Sequence, residues 1–164
     1  MTFDPIGLLR VLVDHDVDFV VVGGVAAAAR GSPTSTVDVD VCYRREERNL
    51  ERLAEALRAL RARLRGVDEE VPFILDAKAL RAGDHFTLTT DLGDVDLLGT
   101  PAGTSGYGEI DAHATAIDLE DGLTVRVASL EDLIRMKKAA GRPKDRVELE
   151  ILGALREEMK RREA

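Results

Sequence analysis

The segment Thr36-Val37-Asp38-Val39-Asp40-Val41 sets two carboxylates two residues apart within an apolar run. Strand geometry alternates side chains, so Asp38 and Asp40 share one face while Val37, Val39 and Val41 turn to the other. Two aspartates about 5 Å apart repel by roughly 3 kcal/mol at an effective dielectric near 20, and a bound cation removes that cost. Hard ions such as Mg²⁺ take oxygen ligands and share one or two carboxylates with substrate phosphates. Alone, the pattern also fits the wet face of a half-exposed strand, although Asp is depleted in strands. Upstream, the apolar strand Val20-Val21-Val22 ends in Gly23-Gly24. Such a turn lets a backbone approach closely and offers its amides to phosphate oxygens.

A second carboxylate strand favours the metal reading. Phe86 to Gly99 reads as two short strands around a turn at Asp91 to Gly93, with Val95 and Leu97 alternating with Asp94 and Asp96. In the tail, Ser129-Leu130-Glu131-Asp132-Leu133-Ile134 is followed by Lys137 and then by Ala140-Gly141-Arg142-Pro143-Lys144-Asp145.

The order of glycine pair, helix, D-x-D strand, helix and a later aspartate strand resembles the minimal nucleotidyltransferase fold of the DNA polymerase β superfamily. The tail resembles the signature of AbiEii-type nucleotidyltransferases, a family that includes bacterial toxin and abortive-infection proteins. The resemblance runs from roughly Phe19 to Leu155. It implies an α+β, polymerase β-like fold, with a mixed, mainly antiparallel sheet flanked by helices. It further implies that Asp38, Asp40 and Asp96 form a triad for one or two Mg²⁺ ions. Gly23, Gly24, Thr36, Lys137 and Lys144 are the implied nucleotide contacts, and Asp145 joins Lys137 and the triad in the catalytic set. The implied reaction moves a nucleoside monophosphate from an NTP such as ATP to an acceptor hydroxyl, with an RNA or tRNA end as acceptor and an antitoxin protein as partner.

The chain departs from that pattern twice. Many relatives carry Gly-Ser where Gly23-Gly24 stands, so a serine hydroxyl is missing and backbone amides must serve. An arginine often found two residues before the threonine of T-x-D-x-D is replaced by Thr34, and Arg30 is the nearest substitute. Rival readings are transfer to a small molecule such as an aminoglycoside or to a protein hydroxyl, and a nucleotide-binding module without turnover. No G-x-G-x-x-G or Walker A pattern is present, which excludes those phosphate cradles.

A chain of 164 residues is expected to form one domain, with a C-terminal helical segment from about residue 129. Aromatic content of 4% with no Trp argues against stacking platforms for bases. No targeting signal and no apolar run near 18 residues point to the cytoplasm and away from membranes. Cys42 has no partner for an internal disulfide and reads as a small buried residue, and the three histidines lack metal-ligand spacing. Net charge is −8, yet residues 135–146 carry six basic residues against Asp145, and residues 44–65 eight arginines against four glutamates. Such polarity could steer an anionic substrate to one side, while a solvated helix face explains the cluster at residues 44–65 equally well.

The elements that must position these residues are also legible. Asp4 and Pro5 open a helix to about Asp14, Asp18 to Val22 is a strand, and Val25 to Arg30 a short helix. Leu50, Leu53, Leu57, Leu60 and Leu64 predict a helix from about Glu46 to Arg65 closed by Gly66. Val67 to Asp84 yields little beyond a helical turn at Asp76 to Leu80. Residues 100–109 read as a glycine-rich loop, by composition a flexible connection and alternatively a segment that lines a site. Ala114 to Leu119 and Leu123 to Val127 form a hairpin around Asp121-Gly122. Ser129 caps a helix to about Ala140, Gly141 ends it, and Pro143 opens another that turns Leu152, Leu155 and Met159 inward. Lys160 to Ala164 is expected to fray.

Overall fold

The computed structural model describes residues 2–66 and 75–163. Strand β1 (Phe19–Val22) is buried at all four positions, as its unbroken apolar sequence requires of a strand covered on both faces. It pairs antiparallel with β2 (Asp38–Tyr43), and β2 pairs parallel with β5 (Gly93–Leu98). Beyond β5 lie β4 (His85–Thr90) and β3 (Arg63–Leu64), and beyond β1 lie β7 (Thr124–Val127) and β6 (Thr115–Asp118). The resulting seven-stranded sheet has the order β3-β4-β5-β2-β1-β7-β6. Its ladders are antiparallel except for β2 with β5 and β1 with β7, giving the mixed, mainly antiparallel α+β architecture expected.

Alternation does the sorting within the central strands. Val39, Val41, Val95 and Leu97 are at most 1% exposed, each such burial contributing about 1.5–3 kcal/mol. Their neighbours Asp38, Asp40, Asp94 and Asp96 remain half-buried on the other face. Helices α1 (Pro5–Asp14), α2 (Gly23–Ala29), α3 (Glu47–Ala59), α4 (Ala77–Ala82), α5 (Tyr107–His113), α6 (Leu130–Ala140) and α7 (Arg146–Glu163) complete the fold. Among the described residues no helix is long and apolar enough to cross a membrane.

Several boundaries differ from the sequence reading. The glycine pair belongs to α2, which begins at Gly23. Helix α3 stops at Ala59 because Arg61 adopts a left-handed φ of 55°, and the amide of Ala62 bonds back to the Leu57 carbonyl. The chain then joins the sheet as β3, where it satisfies the outer edge of β4. Gly66 follows that strand instead of closing the helix. Of the poorly patterned stretch, residues 67–74 lie outside the described residues, while Asp76 caps α4 through the Ala79 amide. Part of the expected glycine-rich loop is helical, since α5 begins at Tyr107.

The hairpin between β6 and β7 turns with positive φ at both Asp121 and Gly122, the geometry that Asp-Gly favours. Ser129 caps α6 by accepting from the Asp132 amide, and Gly141 ends it at a left-handed φ of 62°. Pro143 opens a 3₁₀ turn, Pro143–Asp145, before α7 proper. Leu152 is buried and Leu155 packs on the core, but Met159 is 43% exposed. Helix α7 continues to Glu163 where fraying was expected, and Ala164 lies outside the described residues.

Candidate active site

Parallel pairing of β2 with β5 brings the carboxylates together. The register places Asp38 beside Asp94 and Asp40 beside Asp96. Asp38, Asp40 and Asp96 each offer an oxygen within 4.8 Å of the others. The bare cluster is electrostatically costly: burial first, then the neighbouring Asp38 and Asp96 charges, push the Asp40 carboxyl up to about 8. Asp38 is also raised, chiefly by burial and then by Asp96. A set of three close carboxylate oxygens suits a hard divalent cation, whose charge would relieve this repulsion.

The glycine pair closes one wall. Gly23 has a φ of +65°, and a Cβ there would stand 2.1 Å from Asp40 Oδ2, so both conformation and space require glycine. At Gly24 a Cβ would lie 2.7 Å from both Cβ and Oγ1 of Thr36. The threonine side chain therefore fills the room that a serine at position 24 would need. Its hydroxyl donates to the Asp38 carbonyl at 3.0 Å.

The opposite wall comes from the tail. Lys137 follows Leu130, Leu133 and Ile134 at helical spacing, so the stripe that buries those residues also turns Lys137 inward. The Lys137 charge lowers the Asp40 carboxyl, opposing the other influences on it. Lys137 Nζ also donates to Asp145 Oδ1 at 3.1 Å, and Arg142 Nε to Asp145 Oδ2 at 2.7 Å. Asp145 is 3% exposed. Burial alone would raise its carboxyl, but the hydrogen bonds from Arg142 and Lys137 hold it below the usual aspartate range. Its contacts are thus to the two cations, which it anchors, while the triad gathers across the cleft.

All nine residues singled out in the sequence line one cavity of about 760 Å³: Gly23, Gly24, Thr36, Asp38, Asp40, Asp96, Lys137, Lys144 and Asp145. Thr100, Pro101 and Ala102 also border it, so the start of the glycine-rich loop does reach the site. Arg30 does not replace the missing arginine. Its guanidinium is committed to the Val127 and Ala128 carbonyls at 2.9 and 3.1 Å and to the Thr115 hydroxyl at 2.8 Å. Cys42 is buried, with its thiol pushed up to about 12 by burial, as an inert small residue should be.

Sequence reasoning missed Arg65, whose guanidinium reaches Asp96 Oδ1 at 3.2 Å, and Glu148, which lines the cavity and accepts from the Ser32 hydroxyl at 3.1 Å. A signal for Arg65 existed. After Leu60 the chain reads Arg61-Ala62-Arg63-Leu64-Arg65, a period of two that the leucine repeat masked.

No protein-family model matches the sequence, and no curated protein is significantly similar to it. Solved structures do match. A candidate nucleotidyltransferase from Thermotoga maritima superposes with a TM-score of 0.56 at 17% identity, over 88% of this chain and 89% of that one. The lincosamide antibiotic adenylyltransferase LnuA, with lincomycin bound, gives 0.61 at 12% identity over 92% and 94%. ANT(2'')-Ia, in complex with adenylyl-2''-tobramycin, gives 0.54 at 20% identity over 96% and 95%. The chain therefore has the nucleotidyltransferase fold.

Proposed function

We propose that the protein is a metal-dependent nucleotidyltransferase that moves a nucleoside monophosphate from an NTP to an acceptor hydroxyl and releases pyrophosphate. The observation that carries this reading is the convergence of Asp38, Asp40 and Asp96 beside Gly23, in one cavity with Lys137. Asp38, Asp40 and Asp96 would hold Mg²⁺, which when bound neutralises phosphate charge and lowers the pKa of the acceptor hydroxyl. Gly23 and Gly24 present backbone close to the carboxylates, where their amides receive phosphate oxygens. Lys137, with Lys144 at the rim, meets the triphosphate. Asp145 orients Lys137 and Arg142, and Thr36 shapes the floor beside Gly24.

For the acceptor we favour an RNA end, with an antitoxin as protein partner and the cytoplasm as location, as the AbiEii-type resemblance of the tail implies. The cations next to the cleft support this choice: Lys138, Lys144 and Arg146 are exposed, with no carboxylate in salt-bridge reach among the described residues. The second reading, a small-molecule acceptor, draws on the fold neighbours that carry lincomycin or an adenylylated tobramycin. Incubation with each labelled NTP, Mg²⁺ and either total RNA, protein or aminoglycoside and lincosamide pools separates these acceptors. Label on RNA, lost in Asp40→Asn, is the expected result. NTP binding without transfer to any pool would overturn the enzyme reading in favour of a nucleotide-binding module.

A further inference from the structure

Four aspartates and one arginine meet on the sheet face that carries the triad. On the flank away from β2, β4 places Thr89 beside Asp94 and Thr87 beside Asp96. Just past β3, the Arg65 amide donates to the Thr87 carbonyl at 3.0 Å, which sets Arg65 in the same row as Asp96 and Asp40. Its Nη2 donates to the Leu88 carbonyl at 2.9 Å and to Asp96 Oδ1 at 3.2 Å, while Nε stands 3.3 Å from Asp94 Oδ2. Asp94 is itself fixed by the Thr89 hydroxyl at 3.0 Å. Side-chain exposures of 30% for Arg65, 28% for Asp94 and 21% for Asp96 shelter the cluster from water. Asp96 thus stands between a guanidinium on one side and the Asp40 carboxyl, its neighbour across the β2–β5 ladder, on the other.

We propose that Arg65 is a positioning residue for the metal: it fixes the Asp96 carboxylate in the orientation that lets Asp96 ligate together with Asp38 and Asp40. The inference rests on the metal reading given above. Its rival is that Arg65 merely offsets the charge of four clustered carboxylates, and the two differ in sign. A cation beside a dication repels it, so removing a mere charge tightens metal binding. Removing a group that orients a ligating carboxylate weakens it, by about 10- to 100-fold.

The test is titration of Mn²⁺ alone into the full chain, with free Mn²⁺ followed by electron paramagnetic resonance and folding checked by circular dichroism. Asp40→Asn defines binding at the site. Arg65→Gln is expected to weaken that binding by about 10-fold or more. Arg65→Lys keeps the charge but cannot span Asp94 and Asp96 with a planar fork, so it is also expected to bind Mn²⁺ more weakly than the native chain. Arg65→Gln in an Asp96→Asn background should add no further weakening, because Arg65 acts through Asp96. If Arg65→Gln does not fold, Arg65→Lys carries the test, because it keeps the charge and loses only the planar fork. Unchanged or tighter Mn²⁺ binding in the folded variants, or full additivity with Asp96→Asn, overturns the positioning role. A native chain with no Mn²⁺ binding sensitive to Asp40→Asn overturns the metal reading together with it.

Discussion

Asp40 is where the electrostatic cost of the site concentrates. Its folded carboxyl value of about 8 lies above the ordinary 3.8, so between those values the folded, metal-free protein binds more protons than the unfolded chain. The stability associated with that extra proton is full below about pH 4 and is lost as the pH rises toward about 8. Calorimetry should therefore find the metal-free melting temperature falling across that window, with Asp40→Asn flattening the trend. Mg²⁺ should raise the melting temperature more at about pH 8 than at about pH 6, because protons compete for the same oxygens. Asp40→Asn should also lower NMP transfer by at least about 100-fold while leaving the far-ultraviolet spectrum intact, since ligand removal costs no less than loss of an orienting partner.

Glycines on two helices make opposite predictions. At Gly23, the first residue of α2, a methyl group would stand 2.1 Å from Asp40 Oδ2 on a backbone with φ +65°. Gly23→Ala should cost about 1–3 kcal/mol in chemical denaturation and displace the carboxylate it faces. Gly153, inside α7, would bring a Cβ within 4 Å of nothing outside its own helix. Gly153→Ala should stabilise by about 0.5–1 kcal/mol through helix propensity alone. The join between α6 and α7 depends on Asp145, the buried acceptor for Lys137 and Arg142. Asp145→Ala should cost about 2 kcal/mol for lost charged hydrogen bonds and raise the KM for NTP by freeing Lys137.

Across the molecule, charge is the feature that bears on the acceptor. The chain carries −8 overall, yet residues 135–146 are net +5 and border the cleft through Lys137, Arg142 and Lys144. If Lys138, Lys144 and Arg146 contact RNA phosphates, each releases counterions on binding. Three such contacts on a single strand imply that raising salt from about 50 to about 200 mM weakens RNA binding roughly 20-fold. A fluorescence anisotropy titration at both salt levels checks this, and Lys138→Glu with Arg146→Glu should flatten the dependence. An antibiotic acceptor that bypasses these cations would leave its KM unchanged in the double variant.

How much of this could be read from the residues differs by region. The D-x-D strand, the paired strand bearing Asp96, the capped tail helix and the hairpin at Asp121-Gly122 follow from local rules, because period, capping and turn chemistry act over a few neighbours. Tertiary contacts decided the rest. Helix α3 yields to β3 after Ala59 because an unpaired sheet edge outweighs a leucine repeat, and that switch alone carries Arg65 to Asp96. Arg30, adjacent in sequence to the site, is drawn to the Val127 and Ala128 carbonyls, at and just past the end of β7, by a strand pairing nearly a hundred residues away. Sequence spacing placed Asp38 and Asp40 on one face, since alternation is a property of the backbone. The meeting of that face with Asp96, Lys137 and Gly23 required the parallel register of β2 with β5 and the packing of α6, which no local pattern encodes.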